Sequence, residues 1–150
     1  MNKGVMVEGL TVEVKTERGW QPFVRDFSFQ LGAGKVMGIA GESGSGKSIT
    51  AKAMARLLPP TVRLVSGNAS LDGESFLDIK DAAFNRNFLG RKIAFVPQNP
   101  MTSLSPTLTI GEQMMDGYRF HYPHESKASV RDWAFDLLEQ VGIRDLNRVF

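Results

Sequence analysis

Cysteine is absent from the 150 residues. That excludes a disulfide framework and thiolate chemistry, and it is compatible with a reducing compartment. Long apolar runs are absent too. No stretch approaches the ~18 residues of a spanning helix, and the opening M-N-K-G-V-M-V-E-G-L carries a glutamate where a signal peptide runs apolar. The expectation is a chain made in the cytosol and kept there. A strong charge of either sign is missing: the formal net charge is +2 and the basic residues are scattered, so nothing favours a nucleic-acid partner. The only histidines, His121 and His124, straddle a proline with no third ligand nearby, which argues against a metal site. Internal repeats and low-complexity linkers are lacking as well. What remains, 42% hydrophobic and 23% charged residues, has the composition of one soluble globular domain. Such a chain is long enough to bury roughly two-thirds of its unfolded surface.

The informative stretch is residues 35–55. It reads K-V-M-G-I-A, then G-E-S-G-S-G-K-S, then I-T-A-K-A-M-A: a short apolar run of strand type, a glycine-rich loop, and an alanine-rich helix without a breaker. Gly41-x-x-x-x-Gly46-Lys47-Ser48 matches the phosphate-binding loop in the strand-loop-helix context the motif requires. Its glycines allow successive backbone N–H groups to face phosphate oxygens, and the following helix aims its positive end at the same anion. The predicted nucleotide-binding residues are Gly41, Glu42, Ser43, Gly44, Ser45, Gly46, Lys47, Ser48 and Ile49. Lys47 is the expected cation for the β- and γ-phosphates, and Ser48 the hydroxyl ligand of Mg²⁺.

In chain order, two strand-like segments precede this loop. Residues 5–15 alternate imperfectly, with Leu10, Val12 and Val14 on one face, and residues 23–31 carry Phe23, Phe27 and Phe29. A hairpin loop, T-E-R-G-W-Q-P, is expected between them. After the loop and its helix, Pro59-Pro60 is the expected helix stop. Residues 62–73 read as a further short strand with turns at Ser66-Gly67 and Asp72-Gly73, and residues 79–88 as a helix. Residues 93–96 form a buried strand before a loop beginning Pro97-Gln98. The remainder is helical: Thr109-x-x-Glu112 is a capping box, and Ser129-x-x-Asp132 is expected to open a second helix striped with Val130, Trp133, Ala134, Leu137, Leu138 and Val141.

The β-rich N-terminal segment, GESGSGKS, and IAFVPQNPMTSLSP some fifty residues later together resemble the ATP-binding subunit of ABC transporters. The likeness is greatest to the peptide and nickel importer branch, with its Q-loop of the form PQNPxxSLNP, and it runs from about Val5 to the last residue. It implies an α/β fold: a P-loop NTPase core of ABC type with an N-terminal antiparallel β-subdomain, the start of a helical subdomain, and an incomplete parallel sheet. Residues 1–34 would be mainly β-subdomain, 35–98 the core from P-loop to Q-loop, and 99–150 helical subdomain, all parts of a single nucleotide-binding domain. The resemblance makes Gln98 the Q-loop glutamine, positioning the attacking water and Mg²⁺. It also implies ATP and Mg²⁺ as cofactors, with permease subunits and a second ATP-binding subunit as partners. Attachment would be peripheral, on the inner membrane face. Residues 99–124, with Met101, Leu104, Met114 and Met115, would form the groove that receives a coupling helix of the permease.

Two departures from the family pattern stand out. Where most relatives place an adenine-stacking aromatic near the end of the first strand, this chain has Val14, with Trp20 six residues on as a possible substitute. Such stacking contributes ~1–3 kcal/mol elsewhere, or ~10-fold or more in affinity. The 150 residues also contain no LSGGQ-like signature, no Asp-Glu pair and no later switch histidine. By the resemblance, two strands between residues 36–40 and 93–96 in the core sheet are likewise not among them. The expectation is therefore the N-terminal half of an ABC ATPase, with autonomous hydrolysis in doubt. The alternatives are a small P-loop kinase or phosphotransferase, and a truncated remnant without function.

Overall fold

Register shifts along the strands decide which side chains reach the core of the N-terminal sheet. The computed structural model describes residues 4–150, and all of their side chains except those of Met101, Thr102, Asn147 and Val149. Strand β1 (Gly4–Thr16) pairs antiparallel with β2 (Gly19–Gly32) on one edge and with β3 (Val62–Leu71) on the other; β4 (Glu74–Ser75) completes the order β2-β1-β3-β4. Between Val7 and Leu10, β1 spends one residue more than either neighbour: Val7 faces Phe29 and Ala69, while Leu10 already faces Phe27. The extra residue flips the side-chain parity, so Val7, Leu10 and Val12 are all buried although a strict period of two would split them. Opposite this bulge, Gly67 comes so close that an added Cβ would lie 2.6 Å from Leu10 Cα. Only glycine allows that approach.

A further bulge is in β2. Leu10 pairs with Phe27 but Val12 with Val24, so β2 carries the extra residue near Arg25 and Asp26, and Asp26 takes φ 48. As a result Val24 joins the buried cluster, Phe27 and Phe29 pack against it, and Phe23 does not. Of the three phenylalanines expected on this strand, Phe27 and Phe29 thus pack on the core and Phe23 lies outside it. The hairpin also turns more tightly than expected, with both strands extending to Thr16 and Gly19, which puts Trp20 inside β2.

Helix α1 (Lys47–Met54) follows the glycine-rich loop, and α2 (Asp81–Asn87) lies further on. α1 stops well before Pro59-Pro60. Arg56, at φ 55, ends it and donates to Ile79 O at 2.6 Å and Asp81 Oδ1 at 2.6 Å. Phe76, Phe84 and Phe88 close the core with ring centroids 5.7–6.2 Å apart; burying each apolar ring contributes on the order of 1.5–3 kcal/mol.

The expected core strands look different. Residues 35–42 and 94–97 form no strand, and of the expected strand at 93–96 only Ile93 pairs, in a single parallel bridge with Leu89. Val36 is 98% and Val96 85% exposed. A central parallel strand is defined by ladders on both edges, and among the described residues no strand runs beside either segment. Their apolar character survives as extended chain, and the parallel sheet is incomplete to that degree.

The chain divides into two compact units at Phe95/Val96. In the second, a short 3-10 turn (Pro100–Ser103) leads to α3 (Ile110–His121), α4 (Lys127–Gln140) and α5 (Leu146–Val149). The Thr109–Glu112 capping box is formed: Glu112 N donates to Thr109 Oγ1 at 3.2 Å, and Thr109 N donates to Glu112 Oε2 at 2.9 Å. The Thr109 backbone N–H, and then its hydroxyl, hold the Glu112 carboxyl below its usual range. The second cap lies three residues earlier than expected. Ser126 accepts from Ser129 N at 3.1 Å, because the small polar side chain that precedes the first turn is the one free to reach back to it. Val130, Ala134 and Leu138 are buried along α4, whereas Val141, past its end, is 75% exposed. Tyr118 meets Trp133 at 4.4 Å between ring centroids, joining α3 to α4.

Candidate functional site

The residues expected to bind phosphate form one continuous loop at the start of α1. Gly44 and Gly46 take φ 82 and 96, which folds residues 43–46 into a turn and leaves Gly46 as the N-cap of the helix. Gly46 is buried against β2: an added Cβ would lie 2.9 Å from Val24 Cγ2. Thr50, also buried, donates its hydroxyl back to Gly46 O at 3.0 Å and fixes the first turn. The loop is therefore shaped by missing side chains at one end and a hydroxyl brace at the other.

Lys47 folds back over the loop. Its Nζ donates to Gly41 O at 2.8 Å, Glu42 O at 2.6 Å and Ser45 Oγ at 3.3 Å. These contacts hold a cation at the centre of the glycine-rich turn, beside backbone N–H groups at the positive end of α1. An anion entering there meets both at once. A cavity of about 130 Å³ opens at this point, lined by Gly44–Ile49 and by Phe23. It is smaller than a whole small-molecule site and fits the phosphate end of a larger ligand.

The residues also fit Mg²⁺ held together with a polyphosphate. Among the described residues no cluster of three or more histidine or acidic side chains could hold a metal. Mg²⁺ commonly takes one or two protein oxygens and completes its shell from phosphate and water. Ser48, exposed and on the cavity wall, supplies a hydroxyl of that kind.

Of the other candidates, Gln98 lies at an exposed bend in the second unit, after Pro97, whereas the phosphate loop is in the first. Trp20 is engaged elsewhere: the Arg63 guanidinium sits 4.3 Å above its ring and binds Glu13 Oε2 through Nε at 3.0 Å and Nη2 at 2.7 Å. Trp20 is absent from the cavity wall. The aromatic that is present there, Phe23, was expected only as a residue of the second strand. The signal of its different place was the polar Arg25-Asp26 pair interrupting that strand.

Comparison with known proteins decides the family. The ABC transporter family model matches residues 24–150. The chain belongs to that family. Its architecture is that of an N-terminal portion of an ABC-type P-loop ATPase domain, with an antiparallel β-subdomain, the loop and α1, and the beginning of a helical part. It is similar to the dipeptide transport ATP-binding protein DppD of Lactococcus lactis subsp. cremoris (strain MG1363), 36% identical over 95% of this chain and 41% of that protein. It is also similar to the oligopeptide transport ATP-binding protein OppD of Mycobacterium tuberculosis (strain ATCC 25618 / H37Rv), 37% identical over 95% of this chain and 23% of that one. The chain thus spans less than half the length of either relative. No helix among the described residues is long and apolar enough to cross a membrane.

Proposed function

We propose that this chain binds Mg·ATP through residues 41–49 as part of the motor of an ABC importer for peptides. The observation that carries the reading is the glycine turn at the head of α1, wrapped around the Lys47 ammonium. A triphosphate would exchange the lysine's backbone carbonyl contacts for charged oxygens, which form the stronger hydrogen bonds. Ser48 would hold Mg²⁺ against those oxygens, and Gln98 would act as the Q-loop residue for water and Mg²⁺. The relatives are named for dipeptides and oligopeptides, which supports the peptide side of a peptide-or-nickel importer.

On this reading the chain is part of one nucleotide-binding domain: residues 1–34 mainly β-subdomain, 35–98 core, 99–150 helical subdomain. Its partners are the transmembrane permease subunits and a second ATP-binding subunit, which hold it on the cytoplasmic face of the membrane. The 150 residues supply phosphate binding, but no Asp-Glu pair to polarise a water. By themselves they therefore hydrolyse ATP at background rate.

Titration of the chain with a fluorescent ATP analogue and Mg²⁺, beside Lys47→Ala, tests the site. Saturable binding that falls at least tenfold in Lys47→Ala is expected, since removing a charge-assisted contact costs about 1.5–3 kcal/mol. If both proteins titrate alike, the site assignment is wrong. Steady turnover that vanishes with Lys47→Ala would instead favour a self-sufficient ATPase or a small P-loop kinase.

A further inference from the structure

Within the nucleotide site just proposed, and resting on that reading, we infer that Thr50 is a positioning residue for the phosphates. Its hydroxyl never meets the ligand; it aims the Lys47 backbone N–H at it. Thr50 is 4% exposed, in a place that a valine of the same shape would fill. Its hydroxyl donates to Gly46 O at 3.0 Å, on a carbonyl that already accepts the Thr50 N–H at 2.8 Å. That carbonyl is therefore satisfied without the hydroxyl. The second bond must be read for what it does to the peptide group it touches.

A trans peptide is planar, and its C=O and N–H point in opposite directions. The Gly46 carbonyl runs down α1 to Thr50, so the Lys47 N–H at the other end points out of the helix head, towards the cavity that Lys47 lines. The helix has no side-chain bond at its N-cap and no acidic residue in its first turn, which leaves this end to an anion. Gly46, at φ 96, has the backbone most free to swing. Val24 limits it on one side, with Cγ2 2.9 Å from where a Cβ would be, and the Thr50 hydroxyl fixes the carbonyl on the other. A second donor on the carbonyl also polarises the peptide and strengthens its N–H. Lys47 thus meets a phosphate with an aimed backbone donor as well as with its ammonium.

Thr50→Val keeps the branched shape and the backbone bond to Gly46 O but removes the hydroxyl, whereas Thr50→Ser keeps the hydroxyl. Calorimetric titration with Mg·ATP should show binding about three- to tenfold weaker in Thr50→Val and restored in Thr50→Ser. In isotope-labelled protein, Mg·ATP should move the Lys47 amide proton downfield in the parent and in Thr50→Ser, and by clearly less in Thr50→Val. Unchanged affinity or an unchanged Lys47 response in Thr50→Val would overturn the inference. So would weakening that Thr50→Ser does not restore, or a Thr50→Val chain that fails to fold, since either gives Thr50 a structural role alone. Lys47→Ala is the control for the site. If it is weakened while Thr50→Val is not, the site stands and this inference fails; if it binds Mg·ATP like the parent, the nucleotide site itself is misplaced and both fall.

Discussion

At the scale of single residues, the site depends on where a side chain is absent. Gly46 combines φ 96 with an approach to Val24 that leaves no room for a Cβ. Gly46→Ala would strain the backbone and push the head of α1 off β2, at a cost on the order of 1–3 kcal/mol. It should also weaken ATP binding, because the turn and the wall at Phe23 shift together. Denaturant unfolding with a parallel ATP titration checks both; wild-type stability in Gly46→Ala would mean that the loop does not close on β2. Lys47, Ser48 and the glycines were legible in the sequence because the motif is local: each member acts on a neighbour within six positions. Phe23 was not. Its place depends on the register shifts on either side of Val24 and on contact with a loop more than twenty residues away. The partner of Trp20 was not legible either, since nothing local announces that Arg63, 43 positions later, lies over its ring.

At the scale of elements, what was legible follows the same division. The capping box at Thr109 formed as expected because all its hydrogen bonds lie within four residues. The strands at 36–40 and 93–96 did not form ladders, because a strand is completed by partners distant in sequence. The 3-10 turn Pro100–Ser103 and the residues after it display Leu104, 40% exposed, and Leu108, 45% exposed, with Met114 and Met115 half-buried on α3. The side chains of Met101 and Thr102, also assigned to the proposed permease groove, lie outside the described residues. An apolar, methionine-bearing surface of this kind suits an amphipathic helix. A photoreactive amino acid in place of Ser103 should crosslink to a co-expressed permease subunit. Crosslinks obtained only from positions in β1 or β2 would rule the groove out.

At the scale of the whole molecule, the chain combines an antiparallel sheet with a glycine-rich loop that an unpaired extended segment precedes, and a second, helical unit. Nucleotide binding should therefore appear as a local event at the head of α1, needing no rearrangement of β1–β3. Amide hydrogen exchange with and without saturating Mg·ATP measures this directly. The account predicts slowed exchange in residues 43–50, with β1 and β3 unchanged and the effect lost in Lys47→Ala. No protection in residues 43–50, or protection concentrated in the sheet or in residues 96–150, would contradict it.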